Sequence, residues 1–546
     1  EADEKPADEA PASGAEAGAP GAGAPTAGEE EEGEQAPAEP ATPSIDVAGL
    51  DQRILALPLS EGNYDNLQCT EKALLFVEET PGGERILKSF DFEEREAKTL
   101  KEGVQGFTVS GDGKSLLTFG KGAFAITDAK GGDPKPLAID SVRVRVEPAQ
   151  EWPQILREVW RIERDYFYDE KMHGVDWPAM WERWQAFLPH VQHRGELTLL
   201  IQEMIGELCC GHEYVGGGEY PEGPESISVG LLGADLALDA GRWRIARILR
   251  GQNWNPGLRA PLTEPGVDAR EGDYLLAVNG QPLDATMNLH RAFEYTADKQ
   301  VELTLSATPD GAEPRTVRVV PVGSDFSLRT LSWIEANRRR VDELSGGRLA
   351  YVYMPNTGEG GRAAFDRDFY SQLDREGLIL DERYNGGGQV ADYVIETLSR
   401  DLLSYWMNRE RWLGFSPAGV LDGPKVMIIN ENAGSGGDWM PWAFQRQKIG
   451  PLVGTRTWGG LVGISGYPPL LDGGMVTAAS FGVMDAAGEW AVENVGVAPD
   501  HEVIEWPRDV IAGRDPQLER AVELALEALE TWPKGAAPAY HAPAKR

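Results

Sequence analysis

Apolar residues change their spacing several times along the chain, and each change predicts a different kind of structure. Over residues 53–57, 73–77, 107–109, 115–119 and 123–126 they come in short runs separated by turn-forming stretches such as Ser110-Gly111-Asp112-Gly113-Lys114. That pattern predicts short β-strands. From Glu151 to about Tyr214 the spacing becomes helical and rich in aromatics, among them Trp152, Trp160, Phe167, Trp177, Trp181 and Trp184. Aromatics at this spacing predict core packing rather than a carbohydrate or cofactor site. Residues 227–322 again predict a small β-rich module. Beyond Gly347 strands alternate with helices: a run at 349–354, a helix near 363–373, a run at 377–381, a helix over about 390–402, a run at 426–429 and a helix over 439–449. Alternation of this kind predicts an α/β layered domain. An amphipathic Glu-Leu-Ala helix over 516–532 closes the pattern.

These changes divide the chain into an acidic Ala/Pro/Glu-rich segment (1–45), a β segment (46–146), a helical domain (147–225), a β-rich module (226–322), an α/β domain (323–534) and a flexible tail (535–546). The first segment holds no aromatic residue and too little apolar surface to offset chain entropy, so it is expected to be disordered. The Gly-Asp-Gly-Lys turns of the second are those of β-propeller blades. There is room for only one or two, as though the chain were cut inside a larger propeller. A formal charge of −36 with no basic stripe argues against nucleic-acid partners and anionic membrane surfaces. Three cysteines, two of them adjacent as Cys209-Cys210, form neither a disulfide framework nor a metal-ligand pattern. No metal or cofactor is expected. No apolar run reaches the length of a membrane span. The chain starts Glu-Ala-Asp-Glu without a Met or a signal-like segment, which suggests a processed form or the C-terminal part of something longer.

The densest chemical signal is Ile428-Ile429-Asn430-Glu431-Asn432-Ala433-Gly434-Ser435-Gly436-Gly437-Asp438, an apolar strand that ends in a serine framed by glycines just before a helix. A serine there is a candidate nucleophile, and the Gly436 N–H at the helix start is a candidate oxyanion donor. An isolated serine at a helix start more often serves as an N-cap. A nucleophilic serine requires a base, and of seven histidines five lie among helical aromatics, in the β-rich module or in the tail. His212 and His501 remain. Gly386-Gly387-Gly388, at the end of a strand, offers unobstructed N–H groups, and no lysine follows at the spacing a phosphate loop needs. Glu493 lies in a loop with no evident structural need for a carboxylate. A different plan, the α/β-hydrolase, would use Ser435, Asp472 and His501 in that chain order. A non-catalytic peptide-binding scaffold is a third reading.

Residues 266–283, Gly-Val-Asp-Ala-Arg-Glu-Gly-Asp-Tyr-Leu-Leu-Ala-Val-Asn-Gly-Gln-Pro-Leu, closely resemble the signature of PDZ domains, which bind extended peptides at a sheet edge or brace their neighbours. Together with Tyr166-Phe167-Tyr168-Asp169, Met204-Ile205-Gly206-Glu207-Leu208 before Gly211-His212, Arg383-Tyr384-Asn385-Gly386-Gly387-Gly388, the Ser435 segment, Gly454-Thr455-Arg456-Thr457-Trp458-Gly459-Gly460 and residues 493–500, they resemble the tricorn-type serine proteases of the S41 C-terminal-processing group. The resemblance implies a multidomain α+β and α/β protein with a propeller remnant, a helical domain, a PDZ-like domain and a crotonase-like S41 catalytic domain. It implies Ser435 as nucleophile, His212 as general base, Glu493 as the acid of the relay, and an oxyanion hole from Gly436 and Gly387, with Gly388 the neighbouring choice. It further implies a cytoplasmic homo-oligomer, a hexamer, acting on peptides. The family carries a serine just before the base, where this chain has Gly211. The acid that the family uses for basic P1 side chains finds no match in residues 403–414.

Overall fold

The computed structural model describes residues 46–533 apart from 81, 121 and 410–413. The expected disorder of 1–45 and flexibility of 535–546 fall outside the described residues. The chain divides into two compact units, one ending at Val144 and the other starting at Arg145.

The first unit contains two four-stranded antiparallel sheets, each with its strands in chain order. One is built from Asn63–Cys69, Ala73–Glu79, Arg85–Asp91 and Ala97–Glu102, the other from Gly106–Val109, Ser115–Gly120, Ala123–Asp128 and Lys135–Pro136. Each has the form of one propeller blade. Their shared core includes Leu75, Val77, Leu87, Phe107 and Leu116. The strand expected over 53–57 does not form. Leu50–Arg53 is a 3-10 turn, and Ile54 and Leu55 are 79% and 78% exposed, so their apolar character has no sheet to serve.

In the second unit, helices Pro148–Tyr166, Trp177–Gln185 and Arg194–Gly206 pack through Leu156, Val159, Trp160, Trp177, Leu197 and Ile201. The indole N–H of Trp160 donates to the Trp177 carbonyl and that of Trp177 to the Trp160 carbonyl. These aromatics are therefore structural. An antiparallel sheet of Ala234–Asp239, Arg242–Ile248, Tyr274–Val278, Val301–Ser306 and Arg315–Val319 follows, in that order, around Ile245, Leu275, Leu303 and Val317.

The α/β part is a parallel sheet whose strands Leu349–Tyr353, Gly377–Asp381, Lys425–Ile429, Leu452–Gly454 and His501–Glu502 lie side by side in chain order. The first three strands are buried throughout, because helices cover both faces and leave no polar side. Ala350, Val352, Leu378, Leu380, Met427 and Ile429 face Phe365, Phe369, Val394, Met440 and Phe444. Tyr351, Ile379, Val426 and Ile428 face Val341, Leu518, Ala521 and Val522 on the other side. The helix Phe326–Ser345, part of this second cover, has no counterpart in the sequence reading. The helical part is tied to the α/β part by an antiparallel pair, Val215–Gly216 with Met475–Val476.

Candidate active site

The buried strand Lys425–Ile429 delivers the chain to the tight turn 430–434, and helix Gly436–Arg446 begins immediately after Ser435. Ser435 has φ 59° and ψ −117°. An L-residue reaches this region only when its surroundings force it, at a cost of about 1–3 kcal/mol, and such residues cluster at functional sites. The serine occupies the N-cap position of a capping box, in which the Asp438 carboxylate reaches back to the Ser435 backbone N–H.

What holds the turn is Asp438, one helical turn on. Its buried carboxylate accepts from the backbone N–H groups of Ser435 (3.0 Å), Gly459 (2.8 Å) and Gly460 (3.1 Å), and from the Thr457 hydroxyl. Burial raises its proton affinity above the ordinary aspartate range, against the donors, which favour the charged form. Asp438 is the functional residue that the motifs around Ser435 do not single out, and its one signal in the sequence is an acidic residue three positions after a helix-capping serine, half of a capping box.

Ser435 lines a cavity of about 500 Å³ together with His212, Gly388, Gly436, Trp439 and Phe481. His212 arrives from the turn that follows helix Arg194–Gly206, at φ 63°. Its ring lies 5.2 Å from Trp458, centroid to centroid. Its backbone is stapled through Thr477: the His212 carbonyl accepts from the Thr477 hydroxyl at 2.6 Å, and the Tyr214 N–H donates to the Thr477 hydroxyl oxygen at 2.8 Å. Burial lowers the proton affinity of the imidazole, and the negative charge of Glu493 partly offsets this.

Glu493 does not reach the imidazole through a hydrogen bond. One of its oxygens accepts from the Gly211 N–H at 2.7 Å and from the Cys210 thiol at 3.8 Å; the other accepts from Leu461 and Val462 N–H at 2.6 and 2.9 Å. His212 Nδ1 is buried and has no partner among the described residues. The carboxylate thus holds the backbone just before His212, and it acts on the ring through its charge. Gly211 is not in a left-handed conformation. A Cβ there would stand 3.1 Å from Glu493 Oε1 and 3.1 Å from Gly460 Cα, which is tight but not closed.

The N–H groups of the glycine run are not equally free. The Gly387 N–H donates to Asn385 Oδ1 at 3.0 Å, so it is already engaged. Gly388 and Gly436 both line the cavity, and neither N–H has an acceptor among the described residues. A Cβ on Gly436 would come within 2.3 Å of the Gly388 carbonyl, so the two backbones can meet only because Gly436 has no side chain. Asp472 and His501 do not join this cavity. Asp472 pairs with the buried Arg194 guanidinium and accepts from Gly474 N–H, while His501 lies on the edge strand of the sheet. The α/β-hydrolase plan loses its acid and base.

A serine held at positive φ between a parallel strand and a helix, with a histidine and two free glycine N–H groups around one cavity, defines a class of hydrolase-like sites. The family models specify which. Residues 148–206 match the tricorn protease C1 domain, 230–324 the tricorn protease PDZ domain, and 348–503 peptidase family S41. Tricorn protease homolog 1 of Streptomyces coelicolor is 37% identical over 90% of this chain and 48% of its own length. The tricorn protease of Thermoplasma acidophilum is 30% identical over 82% of this chain and 42% of its own. A crystal structure of the tricorn protease superimposes with a TM-score of 0.79 at 29% identity, covering 87% of this chain and 47% of that one. The chain belongs to the tricorn protease family, within the S41 peptidases. It spans about half the length of these relatives.

Proposed function

We propose that the chain is a serine peptidase that cleaves oligopeptides through an acyl-enzyme. The observation that carries this reading is Ser435: held at a strained positive φ and lining the cavity that His212 also lines. Family membership supports the same class of chemistry. In the proposed reaction the Ser435 hydroxyl attacks the scissile carbonyl as His212 takes its proton. The carbonyl oxygen becomes an oxyanion and is received by the N–H groups of Gly436 and Gly388, the latter in place of Gly387. His212 then returns the proton to the departing amine. A water molecule, deprotonated by the same ring, releases the acyl group and restores Ser435.

Glu493 supports the imidazolium by charge and fixes the base loop through Gly211 N–H. This is the form the Ser-His-Glu relay takes in the absence of a hydroxyl at position 211. Homo-oligomeric assembly, as a hexamer, and a cytoplasmic location are part of the proposal and rest on family membership. No helix among the described residues is long and apolar enough to cross a membrane. Hydrolysis of a fluorogenic peptide by His212→Ala and His501→Ala variants tests the assignment of the base. The first is expected to be nearly inactive and the second close to wild type; the reverse order refutes it.

A further inference from the structure

Behind the base loop lies a pair of acids that the reaction does not use. Glu163, on helix Pro148–Tyr166, is fully buried, and neither of its carboxyl oxygens has a donor among the described residues. Glu213, the residue after His212, faces it within hydrogen-bonding reach. One Glu213 oxygen accepts from the Ala479 N–H at 2.9 Å, and the other is buried without a donor. Two carboxylates could not sit together here. Each accepts only, no cation is in contact with either one among the described residues, and the like charges would repel in a medium that screens them poorly. One proton between them resolves all of this, since a carboxylic acid O–H satisfies the facing oxygen and removes a charge.

We propose that Glu163 holds a proton and donates it in a hydrogen bond to Glu213, and that this acid pair is a positioning device for the base histidine. The inference rests on His212 being the base. The bond clamps the residue next to His212 onto the first helix. Ala479 completes the clamp, giving its N–H to Glu213 and accepting the N–H of Tyr168, which follows that helix, at 2.8 Å. With Thr477 on the His212 carbonyl, the backbone on both sides of the base is fixed, and φ 63° at His212 is the strained conformation so held.

Burial, then the Glu213 charge, keeps the Glu163 carboxyl well above the ordinary glutamate range. Burial also pushes Glu213 up to about 7. Among the described residues, two other titratable groups act on the pair: the Glu493 carboxylate and the Cys210 thiol, the latter shifted upward chiefly by burial. Neither supplies a positive charge, so losing the shared proton would leave the anions uncompensated. The clamp is therefore present at low and neutral pH and released as pH rises past the ionisation of Glu163.

The test compares E163Q with E163L on the full chain. A glutamine amide donates to Glu213 at every pH, so E163Q is expected to keep kcat within about twofold and to lose the ionisation that limits the wild-type alkaline arm. E163L leaves the second Glu213 oxygen without a donor and keeps only the Ala479 bond; its kcat should fall at least about tenfold with KM little changed, as for an interaction that matters in the transition state. If E163L does not fold, the E163Q profile and infrared spectroscopy still decide. Wild type should show a protonated-carboxyl band at pH 7 that is missing in E163Q. An active wild type without that band, an E163Q as damaged as E163L, or an E163L with wild-type kcat and pH profile overturns the clamp. An inactive wild type that retains the band would instead refute the peptidase reading alone.

Discussion

Replacing Glu493 by glutamine separates the two tasks assigned to this carboxylate, because the substitution keeps its shape and removes its charge. Three backbone donors surround it, at 2.6, 2.7 and 2.9 Å. A glutamine would turn its oxygen to the Leu461 and Val462 pair and point its amide at the Gly211 N–H, donor against donor. Losing one charge-assisted bond and stranding that N–H costs about 2–3 kcal/mol of stability. The charge acts separately. An anion a few ångströms from an imidazolium contributes about 2–3 kcal/mol at an effective dielectric of about 20, which is on the order of a hundredfold in kcat/KM. The pH dependence carries the sign. Burial lowers the proton affinity of His212 and the Glu493 charge raises it. The base must be neutral to act, so the acidic arm of the wild-type kcat/KM profile should lie below the ordinary imidazole value of about 6.5. In Glu493→Gln it should move lower still. Peptide hydrolysis across pH, with thermal unfolding alongside, measures both effects. A variant within twofold of wild type, with an unmoved acidic arm, would refute the role given to this charge.

Ser435→Ala should abolish hydrolysis and cost no more than about 1 kcal/mol of stability, the worth of a helix cap; a loss of several kcal/mol on unfolding would show a larger structural role instead. Asp438→Asn turns an amide toward four donors and should destabilise the protein by about 2–3 kcal/mol and cut kcat at least tenfold, whereas wild-type unfolding would contradict the role of Asp438 in holding the turn. Gly211→Ser, at an ordinary φ with contacts of 3.1 Å to absorb, should cost about 1 kcal/mol and raise kcat with KM little changed. The gain should vanish when Glu493→Ala is added, and a stable serine variant with unchanged kcat would sink the idea that position 211 limits the base.

The first three strands of the parallel sheet were legible because their centres are apolar without a break, as burial on both faces requires, whereas the short strands Leu452–Gly454 and His501–Glu502 offer no such run. The blade strands were harder. Asn63–Cys69 and Ala97–Glu102 have largely exposed, polar positions that carry little periodic signal, while the apolar residues 54 and 55 imitate a strand that has no partner. At the site, Ser435 and its glycines announced themselves locally, since the turn that forces φ 59° also demands small neighbours. Which glycine N–H stays free was not legible. That depends on the Asn385 side chain folding back onto Gly387, a contact two residues apart with no sequence signature. Glu163 was hidden for another reason: it meets Glu213 only in the fold, 50 positions away, and a lone glutamate in a helix reads as a solvated face.

The central claim is that Ser435 is the nucleophile and that His212 activates it. A fluorophosphonate reagent, which modifies activated serines, tests both parts when the site of modification is mapped by peptide mass. A single adduct on Ser435 is expected, with none in Ser435→Ala and labelling slowed at least about a hundredfold in His212→Ala. An adduct on another serine, or no adduct in a folded sample, would contradict that claim.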